Sequence, residues 1–153
     1  MFSLIITIVA IALVVALVAA TMYHGGDTLT QGRTTADAAA FVTGAQQISG
    51  AEVMHLSLTG QDATTVSGGS AGTDLVVDKY RASAPVVKGS AWAIDSVNKV
   101  VTATVDTDAV CIAINKSAGL DSVKADANAV VEADFAALPY GCVSTTKNFE
   151  FKF

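Results

Sequence analysis

Charge is what this chain has least of. No Asp, Glu, Lys or Arg precedes Asp27, and the first basic residue is Arg33. Only 15% of the 153 residues are charged, against 52% that are hydrophobic. A net charge of −5 excludes the basic face that phosphates demand, so no nucleic acid is expected to bind directly. Prolines, histidines and cysteines number two each. His24 and His55 lie far in sequence from Cys111, which argues against a Cys/His nucleophile pair, and both read as capped or solvated helix side chains. Gly25-Gly26 and Gly68-Gly69 lack the Gly, Lys and Ser/Thr of a phosphate loop. Asp126, Asn128 and Glu132 lack the glycine and full spacing of a calcium loop and read as a solvated face or loop. Capping explains Asp106 and Asp108 without acid-base work. No metal, cofactor or catalytic group is expected, and the chain does not read as an enzyme.

What is present begins at the first residue. From Met1 to Met22 only Ser3, Thr7 and Thr21 interrupt Phe, Leu, Ile, Val, Met and Ala. At about 1.5 Å per residue such a helix covers on the order of 33 Å, roughly one bilayer core. A newly translated anchor or signal normally carries Lys or Arg on its cytoplasmic side. None is here, so a basic leader is expected to have been cut away, leaving Met1 as a processed N-terminus. The alternative, a secretory signal cleaved after Ala19 or Ala20, suffers from the same missing charge. A helix that starts at the first mature residue suits a subunit stored in a membrane and later withdrawn into a filament. Ala10, Ala12, Ala16, Ala19 and Ala20 would permit close helix packing.

Leu29, Ala36, Ala40, Gly44, Ile48, Ala51 and Leu58 recur at helical spacings, which extends one narrow apolar stripe to Leu58. One helix over residues 1–58 is the economical reading, followed by a head over 59–153. Its first half would protrude and its second half would pack on the head. Gly60 to Thr73 reads as a loop and Leu75 to Val77 as a short strand. Ala91–Val97 and Val100–Asp106 alternate as a hairpin, with Asn98 and Lys99 in the turn. Asp108 is expected to cap a helix that carries Cys111 and Ile114 and stops at Gly119. Val123, Ala127, Val130 and Leu138 fit a further helix. Phe149, Phe151 and Phe153 alternate with Glu150 and Lys152 as a closing strand with a core face. Helix first and antiparallel strands later is an α+β order. Cys111 and Cys142 would lie outside the cytoplasm and are expected to form one disulfide, the other readings being two buried thiols or half a metal site.

This layout resembles the type IV pilins, and more closely their type IVb branch, which includes conjugative and toxin-coregulated pili. The resemblance rests on the apolar start from Met1, the helix to Leu58, the Gly/Ser/Thr-rich loop, the hairpin, and the Trp92–Lys116 stretch with Cys142 before a terminal strand. It implies cleavage before Met1 by a prepilin peptidase, methylation of the Met1 amine, and residence in the bacterial inner membrane. It further implies polymerisation by an assembly ATPase and platform protein into an extracellular pilus that serves attachment, motility or DNA transfer. The filament core would then be Phe2, Leu4, Ile5, Ile6, Ile8, Val9, Ile11, Leu13, Val14, Leu17 and Val18. Two departures stand out. Ile5 replaces the glutamate that most pilins carry at the fifth mature position, so the Met1 ammonium is expected to be neutral or bound to Ser3, Thr7 or a neighbour's carbonyls. The family's helix-breaking proline is also missing, and Gly25 and Gly26 are expected to supply melting in its place in the assembled state. A minor or tip pilin, a pseudopilin, and a monomeric membrane-anchored periplasmic interaction domain are the alternatives.

Overall fold

The computed structural model describes residues 2–153, with only the backbone of His24, Gly25 and Asp27 described. Expectations about Met1 and about the His24 side chain lie outside the described residues. Helix α1 covers Phe2–Thr59 and is helical through Gly25, Gly26 and Gly32, so the melting expected at those glycines is not a feature of the single chain. Two compact units share it: one ends at Arg33 and the other, the head, runs Thr34–Phe153.

Strands β1 (Trp92–Asp95), β2 (Val100–Thr104), β3 (Tyr140–Val143) and β4 (Asn148–Lys152) form one antiparallel sheet in the order β1-β2-β4-β3. The fold is α+β, as expected. Register follows from alternation: Ile94 faces Val101, Val101 faces Phe151, Ala103 faces Phe149 and Cys142 faces Phe149, so all the apolar partners share one surface. Phe41 of α1 lands on that surface, 5.9 Å from the Phe149 ring and 6.0 Å from the Trp92 ring. The Phe149 side chain is fully buried and Phe151 and Phe153 pack against the core, which supports the core reading of the terminal aromatics. Close approach is made possible by Gly44, where a Cβ would meet the Trp92 ring at 2.9 Å. On the opposite surface Phe135, buried in a 3-10 turn over Glu132–Phe135, fills the space a side chain at Gly141 would need.

Helix α2 (Asp108–Ala118) ends at Gly119, whose φ of 96° is the left-handed stop expected there. Its cap is Thr107 and not Asp108: the Thr107 hydroxyl accepts from the Val110 amide, while the Asp108 carboxylate pairs with Lys147 at 3.2 Å. The disulfide joins Cys111 of α2 to Cys142 of β3, which excludes both the free-thiol and the metal readings. Beside it Asn115, itself buried, donates to the Cys142 carbonyl at 2.9 Å and accepts from the Cys142 amide at 2.7 Å. A single side chain thus takes the place of a neighbouring strand at the outer edge of β3.

Three expectations need correction. The stripe on α1 passes through Ala38, Phe41, Ala45, Ile48, Glu52 and His55, whereas Leu29, Ala36, Ala40 and Leu58 are exposed. Gly44, Ile48 and Ala51 of the expected stripe are buried, but two polar residues also belong to the buried line, so a purely apolar template follows it only in part. Leu75–Val77 is a turn rather than a strand, because Asp74 Oδ1 accepts from the Val76 and Val77 amides at 2.9 Å each. The helix expected from Val123 to Leu138 stops early: α3 covers only Ser122–Asp126, and Asn128 at φ 50° turns the chain away. The expected hairpin forms, but β1 ends at Asp95 and β2 at Thr104, so Ser96 and Val97 join Asn98 and Lys99 in the turn, with Lys99 at φ 56°.

Candidate functional site

Within the first unit every residue expected in a filament core is exposed: Phe2, Leu4, Ile5, Ile6, Ile8, Val9, Ile11, Leu13, Val14, Leu17 and Val18 range from 47% at Val18 to 83% at Phe2. By length and composition α1 is able to cross a membrane, a test that signal sequences also pass. Apolar surface of this extent on a single chain marks contact with lipid or protein. The Thr7 hydroxyl donates to the Leu4 carbonyl at 2.9 Å and reaches the Ser3 carbonyl at 3.2 Å. Its proton is thereby used inside the helix, and its lone pairs remain the part able to receive an ammonium proton.

In the head, α1 continues with an outer face that carries no charge. Asp37, Glu52 and His55 are the only titratable residues between Thr34 and Thr59. Asp37 pairs with Lys88 at 2.7 Å, and Glu52 and His55 are fully buried. What remains exposed is Thr35, Ala36, Ala39, Ala40, Thr43, Gln46, Gln47, Gly50, Val53, Met54, Leu56, Ser57, Leu58 and Thr59. Two shallow furrows flank this ridge of small residues. One, of about 540 Å³, lies between α1, Ala113, Lys116 and Ser117 of α2, and Tyr140; the other, of about 440 Å³, lies between α1 and Pro85–Val87.

Behind the last turns of α1 the loop is anchored by polar groups. Glu52 Oε1 accepts from the Ala63 amide at 2.9 Å, and His55 Nδ1 lies 2.9 Å from the Gln61 carbonyl. Asp74 is fully buried yet saturated, accepting also from Thr65 Oγ1 and the Gly69 amide on its second oxygen. Burial pushes its carboxyl up, but bonds from Val77, Gly69, Thr65 and Val76 together bring it below the usual aspartate value. At Glu52 the balance is opposite: burial raises the carboxyl more than the Ala63 bond and His55 lower it. His55 is therefore neither solvated nor a helix cap, correcting the sequence reading. The Glu52/His55 spacing of three residues within an otherwise apolar line was the signal that pointed inward.

The acidic residues of the calcium-like and capping readings are surface groups, Asp106 lying 3.7 Å from Lys88 and Asp126 2.6 Å from Lys116, while exposed Glu132 and half-buried Asn128 sit in the chain reversal after α3. No group of three or more His, Cys, Asp or Glu among the described residues is placed to hold a metal ion. No protein-family model, curated protein or solved structure matches the chain.

Proposed function

We propose that this chain is the subunit of an extracellular filament, a pilin of type IVb-like layout, held in the inner membrane by residues 2–22 until assembly. The observation that carries the reading is the surface of α1: exposed and apolar up to Met22 but for Ser3, Thr7 and Thr21, and uncharged along its outer face from Ala36 to Leu58. A helix that only anchored a monomer would need the first part and not the second, since an outer face with no charge and few polar groups beyond Gln46, Gln47, Ser57 and the threonines gains little from water. Lipid already shelters the apolar run, so helix packing rather than hydrophobic transfer supplies the difference between membrane and filament. The alanines of the run and the small residues of the ridge suit that packing. Assembly would require the partners the resemblance implies, a prepilin peptidase and an ATPase-driven platform.

Negative-stain microscopy of material sheared from cells tests this. Thin fibres composed mainly of this chain, with an N-methylated Met1 by mass spectrometry, are the expected result. Fibres in which the chain is a trace component would make it a tip or minor subunit. A chain that begins near Thr21, or one found only as single particles in detergent, would overturn the filament reading.

A further inference from the structure

Glu52 Oε2 and His55 Nε2 are buried atoms that make no hydrogen bond, as are Asp37 Oδ2 and Asp62 Oδ1, which instead lie against Lys88 and Lys99. Glu52 and His55 are completely enclosed. One helical turn apart on the inner face of α1, they are neighbours. The role of each ring nitrogen follows from its contacts. His55 Nδ1 sits at 2.9 Å from a carbonyl, that of Gln61, which can only accept, so Nδ1 carries a hydrogen. Nε2 then either bears a bare lone pair or a second proton. It faces the Asp78 carboxylate, with Oδ2 at 3.7 Å. A lone pair aimed at a carboxylate is an orphan, whereas an N–H there is one half of an ion pair.

We infer that Glu52, His55 and Asp78 form a proton-binding latch that fastens the loop over residues 61–81 to the end of α1. The loop side of the latch is rigidly built. Asp78 accepts from the Gly72 amide with both oxygens at 2.9 Å, and the Tyr80 ring meets the imidazole edge-on at 5.0 Å. Thr59 Oγ1 is 3.4 Å from Nδ1. The further charges that reach Glu52 are Asp62 and Lys99, which pair with each other. Asp74 is saturated by four donors and takes no part in the exchange. Protonation of Nε2 turns the orphan into a donor toward Asp78, and a proton on Glu52 removes a buried charge. Both events favour the closed loop. Rising pH leaves a bare Nε2 against Asp78 and an ionised Glu52 without a partner on Oε2, and both favour release. The latch is thus tighter in acid and loosens as pH rises, the buried Glu52 carboxyl being held above its ordinary value by its enclosure. This inference stands whether or not the chain forms filaments.

Hydrogen exchange of the full chain in detergent micelles, corrected for intrinsic exchange rates, reads the latch directly. Amides of residues 61–81 are expected to be about tenfold better protected near pH 5.5 than near pH 8, with those of β4 unchanged. Glu52→Gln and His55→Gln should each flatten the profile. Equal protection at both pH values, greater protection near pH 8, or a profile that survives in both variants overturns the proposal. Should the variants misfold, the Cε1–H resonance of His55 in the unaltered chain, assigned with His24→Gln, supplies a second reading. It must move with pH together with loop protection, and a resonance that stays fixed refutes the latch.

Discussion

Two residues show how narrowly the head is built. Gly141 is the only residue type that fits over the Phe135 ring, since any Cβ there overlaps it. Gly141→Ala is expected to destabilise the head by about 3 kcal/mol, measured by denaturant titration, and Phe135→Leu in the same chain should recover part of that loss, because overpacking is relieved from either side. Asp74 organises the loop by accepting four hydrogen bonds from three turns of chain. Its carboxyl lies below its ordinary value in the folded chain, so the unfolded chain binds the proton first. The stability it contributes is complete above the ordinary aspartate range and is lost as pH falls through the folded value. Asp74→Asn should therefore lower stability at neutral pH by about 1 to 3 kcal/mol and flatten the acid limb of the stability curve, followed by thermal melts at stepped pH. Neither residue announced itself in the sequence. Gly141 follows a tyrosine in an ordinary strand, and Asp74 sits in a Gly/Ser/Thr stretch where solvent exposure is the default expectation.

Elements defined by strict alternation or by clean stops were legible. Trp92 and Ile94, Val101 and Ala103, and the Phe149 series each repeat every second residue, and Gly119 stops α2 in a left-handed conformation that only glycine adopts without steric cost. Elements whose buried line includes polar residues were not. On α1 the buried positions run through Glu52 and His55, so the apolar template caught Gly44, Ile48 and Ala51 but also took in Leu29, Ala36, Ala40 and Leu58, which are exposed. Asn128 broke the expected third helix because a local reversal at positive φ outweighs a few suitably spaced valines. The cysteine pair was readable from its count and the compartment expected for it, and it joins α2 to β3. Replacing both Cys111 and Cys142 by Ala is expected to remove about 3 to 4 kcal/mol, read as a lower denaturation midpoint, with α2 losing protection before β4 does.

At the scale of the whole molecule, the outward ridge of α1 is where the filament reading is most exposed to test. Ala39 is a surface residue, so Ala39→Lys should change head stability by no more than about 0.5 kcal/mol in thermal melts. The same change places a charge in the middle of an uncharged face and is expected to abolish sheared fibres in negative stain. Fibres of normal number would show that the ridge faces solvent in the polymer. The division of the chain at Arg33 was not evident from periodicity, because one helix runs through it.

A sheet rim with unpaired amides is an open invitation to another polypeptide, and proteins that stay soluble at high local concentration must decline it. Here Asn115 does so with one carboxamide, occupying both backbone groups of Cys142 on that rim. Cross-β stacking and strand exchange are closed along β3 at that residue, so copies of this molecule that meet there do so through side chains and not through shared backbone ladders.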